Sequence, residues 1–217
     1  MRHANRIAVA VLFLVPLCAS WSGGSRPQVS KTDLILDKLT QQVKNYKDWG
    51  DFPIMLGHLA QKYELPMGID LESSPKVKLT SVQLSRGTVA GLLTTLVSKE
   101  PDFDWTQVNG VINVTPRHLA DSILDVRIGH FRVKNATPFE IHDAIVALPE
   151  VKVWLEQKHV TEATGWGGSF LSLPRASANL HDVTLRDILN TIVKSGLSSW
   201  TITRSGQNEQ HVSISVG

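Results

Sequence analysis

Residues 176–196 read ASANLHDVTLRDILNTIVKSG, and the fold class follows from how this stretch is built. Apolar and polar residues alternate from Ala176 to Leu180, the two-residue period of a strand with one buried face. Thr184 then stands where a helix N-cap belongs, and Asp187 three residues on suits the positive end of the helix. Leu185, Ile188, Leu189, Ile192 and Val193 fall at spacings that place them on one helical face. Gly196 is placed to close the helix in a left-handed conformation. Trp200–Thr203 and Val212–Ser215 alternate again, and Ser205-Gly206-Gln207-Asn208 between them has hairpin chemistry. The unit reads strand, helix, strand, strand.

The same unit occurs 96 residues earlier. Leu84, Thr88, Val89, Leu92, Leu93, Leu96 and Val97 match Leu180, Thr184, Leu185, Ile188, Leu189, Ile192 and Val193. Trp105 answers Trp200 after a one-residue slip at Pro101, Asn109-Gly110 supplies the hairpin turn, and Val111–Val114 is the return strand. Two amphipathic helices align easily, but a shared cap, flanking strands and a Trp at nearly fixed offset point to internal duplication.

Outward from the repeat, the second half begins at Val126–Val133, read as a strand alternating Val126, Ile128, His130 and Arg132 against Arg127, Gly129, Phe131 and Val133. Thr137-Pro138-Phe139-Glu140 starts a helix with the face Ile141, Ala144, Ile145 and Leu148. The first half has a helix at Leu34–Leu39 with a polar helical continuation over Gln41–Asp48. A second helix follows, with Ile54, Met55, Leu59 and Ala60, then strands at Met67–Leu71 and Val77–Leu84. The expected architecture is α+β: two tandem related domains, each helix-strand-strand-helix-strand-strand, a small sheet with helices packed on one face. Their bounds are 33–115 and 125–217, joined by a linker at 116–124. An insertion at 149–174, with Trp154, Trp166 and Gly165-Trp166-Gly167-Gly168-Ser169, interrupts the second.

Residues 1–20 have the three-part plan of a secretory signal peptide: Arg2 and Arg6, an apolar run from Ile7 to Leu17, and small residues at Ala19 and Ser20. Residues 21–32 read as a Ser/Gly/Pro-rich tether. Cleavage after Ser20 removes the one cysteine, Cys18, and leaves 20 basic residues (22 less Arg2 and Arg6) against 20 acidic ones. That neutral balance excludes an electrostatic footprint for nucleic acid. Export predicts a periplasmic or secreted address, with membrane contact only if the signal segment is retained.

The strand into Thr-hydrophobic-x-x-Leu-Leu-x-x-Leu-Val and then a Trp strand, at Val82–Val97 with Trp105 and Ile112 and at Ala178–Val193 with Trp200 and Ile214, resembles the secretin and TonB N-terminal short domain. The likeness spans about residues 54–114 and 126–216. It implies a non-catalytic interaction module of the cell envelope, with a secretin, an outer-membrane receptor or an anti-sigma-type regulator as partner. No barrel or pore sequence follows Gly217, so the expected partner is a separate polypeptide.

Motifs for catalysis are missing. There is no phosphate-cradling loop, no His-Glu-x-x-His, no Gly-x-Ser-x-Gly and no Cys pair. His58, His118, His130, His142, His159, His181 and His211 show no one-turn pair for zinc, and His142 falls at the edge of a buried stripe. No cofactor is implied. The partner-binding candidates are Trp154, Trp166, Gly167 and Phe170, because large rings in a glycine-rich insertion suit a partner surface. Two other readings stay open: an envelope hydrolase or glycan-binding protein with its site near residues 165–169, and a structural subunit assembling through sheet edges.

Overall fold

The computed structural model describes residues 31–71, 79–163, 173–205 and 211–217, and the fold is α+β. In chain order the elements of the first half are α1 (Lys31–Thr40), β1 (Gln42–Gly50), α2 (Phe52–Tyr63), β2 (Met67–Leu71), β3 (Thr80–Thr88), α3 (Val89–Val97), β4 (Phe103–Val108) and β5 (Val111–Pro116). A 3-10 turn at Ile123–Asp125 leads into β6 (Arg127–Ala136), α4 (Pro138–Val146), α5 (Pro149–Lys158), β7 (Thr161–Glu162), β8 (Ala176–Thr184), α6 (Leu185–Ser195), β9 (Ser199–Ser205) and β10 (His211–Val216).

One six-stranded sheet, ordered β4-β5-β2-β9-β10-β7, runs through both halves. Two antiparallel ribbons, β1-β3 and β6-β8, lie apart from it. Helix α3 packs on the first ribbon and on β4, and α6 packs on the second ribbon and on β9, β2 and β5. The halves meet where β2 pairs in parallel with β9, Met67 opposite Ser199 and Gly68 opposite Trp200.

That register separates the two cores. Met67, Ile69 and Leu71 point to the side of Ile112 and Val114 and join the first core with α2 and α3. Trp200 and Ile202, with Val212, Ile214 and Val216, point to the other side and join the second core with α4 and α6. Successive strand residues face opposite ways, so one sheet serves a core on each face. β2 is consequently buried along its whole length. A parallel strand flanked on both edges and covered on both faces has no solvated side.

The N-termini of α3, α4 and α6 are capped as their residues dictate, whereas Gly196 closes α6 at φ 150°, ψ −8° rather than in the expected left-handed helical conformation. Thr88 Oγ1 accepts from Gly91 N at 3.1 Å, and Thr184 Oγ1 from Asp187 N at 3.2 Å. The Thr184 amide donates in return to Asp187 Oδ2 at 3.1 Å, closing a capping box that Thr137 and Glu140 repeat on α4. Asn109 and Gly110, at φ 52° and 83°, form the two-residue turn between β4 and β5.

Three expectations are corrected. Residues 41–48 are not helical but form β1, paired with β3 from Gln42↔Thr88 to Gly50↔Thr80. Asn45 sits in the left-handed region at φ 51°, so the buried Val43 and Tyr46 lie three apart and imitate a helical spacing. β6 likewise buries Ile128 and Phe131 rather than alternate residues. On α2 the buried face is Phe52, Met55, Leu56 and Leu59, while Ile54 is exposed.

The insertion is corrected as well. Residues 149–163 are built into the second core through Val151, Trp154 and Val160, and β7 pairs in parallel with β10. Glu150 Oε1 accepts from Gly129 N at 3.0 Å, tying α5 to β6.

Candidate functional site

Trp154 was expected on an open partner surface, yet it is only 8% exposed. It lies on the buried face of α5, and the guanidinium of Arg204 sits over its ring at 5.6 Å from the centroid. The ring is a core element there. Trp166, Gly167 and Phe170 lie outside the described residues.

The histidines scatter. His142 is buried, with Nε2 2.8 Å from Glu162 Oε1 and Nδ1 3.3 Å from Asp143 Oδ1. It thereby ties α4 to β7, a locally partnered imidazole at the core edge. His211 Nδ1 lies 2.6 Å from Thr161 Oγ1, so a histidine contacts each residue of β7. His58 pairs with Asp48 at 3.0 Å, and His130 stacks on His181 across the β6-β8 ribbon, centroids 4.4 Å apart. Among the described residues no group of three or more His, Cys, Asp or Glu side chains is arranged to hold a metal ion.

Two titrating groups are shifted for structural reasons. Burial, reinforced by the Asp48 carboxylate at 3.1 Å from its hydroxyl, raises the Tyr46 phenol. The backbone amide and the hydroxyl of Thr137, donating at 2.7 and 3.0 Å, lower the Glu140 carboxyl.

What the surface does offer is apolar. Trp49 is 71% exposed, Leu79 70% and Ile54 51%. Trp49 stands opposite Ser81 in the β1-β3 ribbon, and Leu79, two residues before Ser81, is its diagonal neighbour. Ile54 lies against Gly50, the residue after Trp49, so all three residues lie near one end of the ribbon, although the Gly50 position that Ile54 covers faces the opposite way from the Trp49 side chain. Trp49 carries a readable sequence signal, a tryptophan directly after the polar run Gln41–Asp48, but the helical continuation expected there ended at Asp48 and gave Trp49 no face.

A cleft of about 680 Å³ lies between α2 and the outer face of β9, lined by Gly57, Ala60 and Gln61 on the helix and by Ser199 and Thr201 on the strand. Among the described residues the sheet ends on one side in β4, whose one neighbour is β5. Comparison with protein-family models, curated proteins and solved structures gives no match.

Proposed function

We propose that the chain is a non-catalytic interaction module of the cell envelope, exported by its first 20 residues and carrying a partner surface at the Trp49 end of the β1-β3 ribbon. The observation that carries this reading is the placement of Trp49, Leu79 and Ile54 at one end of the β1-β3 ribbon, each at least half exposed. Exposed apolar residues of that kind, with the exposed Lys47 two residues before Trp49 on β1, have the composition of an interface centre with a polar edge. Tryptophan is prominent among the residues that dominate binding energies. The resemblance of residues 82–97 and 178–193 to the secretin and TonB N-terminal short domain supports the same reading, with a secretin, an outer-membrane receptor or an anti-sigma-type regulator as the kind of partner.

The test is capture of partners from an envelope fraction with the chain lacking residues 1–20. Trp49→Ser with Leu79→Ser should abolish capture of the partner that the unaltered chain retains, while the melting temperature moves by less than about 2 °C, since surface changes act within about 0.5 kcal/mol. Undiminished capture by the double variant would reject this surface.

A further inference from the structure

Among the described residues strand β9 has a neighbour on each edge, β10 and β2, whereas β4, which occupies the same place in the first half, has one. The two strands carry the same tryptophan. Trp200 donates from Nε1 to Asn190 Oδ1 at 2.8 Å, and Trp105 donates from Nε1 to Thr94 Oγ1 at 3.2 Å. Thr94 and Asn190 occupy equivalent helical positions, each six residues after the N-caps Thr88 and Thr184. The two indoles are therefore held the same way against their helices. Trp200 reaches across to β2, where its ring lies on Gly68 so closely that any Cβ there would fall inside it. With that strand in place Trp200 is fully buried. Trp105 extends over a position that no strand among the described residues fills, and it stays half-buried.

The backbone agrees. The two-residue turn at Asn109-Gly110 pairs Val108 with Val111, so Thr106 and Asp104 bond to β5. Phe103, Trp105 and Gln107 then direct their amides and carbonyls to the open edge. Side chains guard that edge: Arg117 Nε donates to Phe103 O at 2.9 Å, and Asp104 Oδ1 accepts from Trp105 N at 2.8 Å. The guards are themselves a loose pair, 3.8 Å apart and 50% and 59% exposed. Charged side chains on an edge suppress indiscriminate pairing.

We propose that the open edge of β4 is a strand-acceptor site: an extended segment of a partner polypeptide adds in parallel, as β2 adds to β9, and lays a glycine under the Trp105 ring. Glycine is required because a side chain would occupy the space of the indole, and the partner displaces the Asp104 carboxylate from the Trp105 amide. Main-chain bonds supply affinity and the Trp105–glycine fit supplies selectivity, as in other strand additions. The site rests on the reading of the chain as an interaction module. It uses a different sheet from the Trp49 surface, so either can fail alone.

The natural probe is a synthetic peptide of residues 65–71, the segment that fills the equivalent place at β9. Added to the chain lacking residues 1–20, it should slow hydrogen exchange at Trp105 and Gln107, leave Thr106 unchanged, and bury the Trp105 ring. The same peptide carrying Gly68→Val should not bind. Asp104→Ala should tighten binding about tenfold, the effect of removing one competing charge-assisted hydrogen bond. Equal binding of the two peptides, protection elsewhere, or weaker binding to Asp104→Ala would each overturn the site. So would self-association through β4 at the concentrations used, which would assign the edge to a second copy.

Discussion

At Gly68 a single hydrogen atom decides how the two halves fit. Its backbone is not left-handed, so the glycine is there for space: the Trp200 ring, anchored by Asn190, lies directly on it. Gly68→Val should cost about 3 kcal/mol or more, the upper range for overpacking, because the ring cannot shift without losing its buried hydrogen bond. Urea unfolding measures this, and a loss below about 1 kcal/mol would mean the indole moves aside freely. Trp154→Ala should cost about 3–5 kcal/mol as a large-to-small change in a packed core. Near-wild-type stability would return Trp154 to the surface. The equivalence of Trp200 and Trp105 was legible, since both follow their helices at nearly fixed offsets. The role of Gly68 was not, because its reason lies on a strand far away in the chain and no local period encodes a contact of that kind.

Among the elements, the capped helices were the most legible, because a cap and a 3.6-residue stripe are local chemistry. Thr88, Thr137 and Thr184 all cap as their spacing implies. β1 was hidden because left-handed Asn45 resets the strand alternation. β7 was hidden because two residues cannot display a period. The cap on α4 also gives a pH dependence. Thr137 holds the Glu140 carboxyl below its ordinary value of 4.5, so the folded state binds this proton less readily than the unfolded chain. The stabilisation is complete above the ordinary value and is lost as the pH falls through the lower folded value. Glu140→Gln removes the titration, so the stability of the unaltered chain should fall relative to the variant as the pH drops below 4.5. Parallel urea midpoints for the two proteins from pH 7 to pH 3 would count against the assignment.

For the whole molecule, the question is whether the halves unfold together. The sequence reads as two tandem domains with a linker, each able to close its own sheet, but the six strands form one sheet with a core on each face. β2 is the shared part: Met67, Ile69 and Leu71 belong to the first core, while Gly68 lies under Trp200 of the second. Removing support from the first core therefore exposes the floor of the second. Leu92 is fully buried on α3 in the first core, and Leu92→Ala should cost about 2–5 kcal/mol. With the halves coupled through β2, that loss should speed hydrogen exchange at Trp200 and Ile202 as much as at Ile112 and Val114. Calorimetry should then show one transition whose measured enthalpy equals its van't Hoff enthalpy. If Leu92→Ala loosens Ile112 and Val114 alone, the parallel β2-β9 pairing is too weak to couple the cores, and each half unfolds by itself.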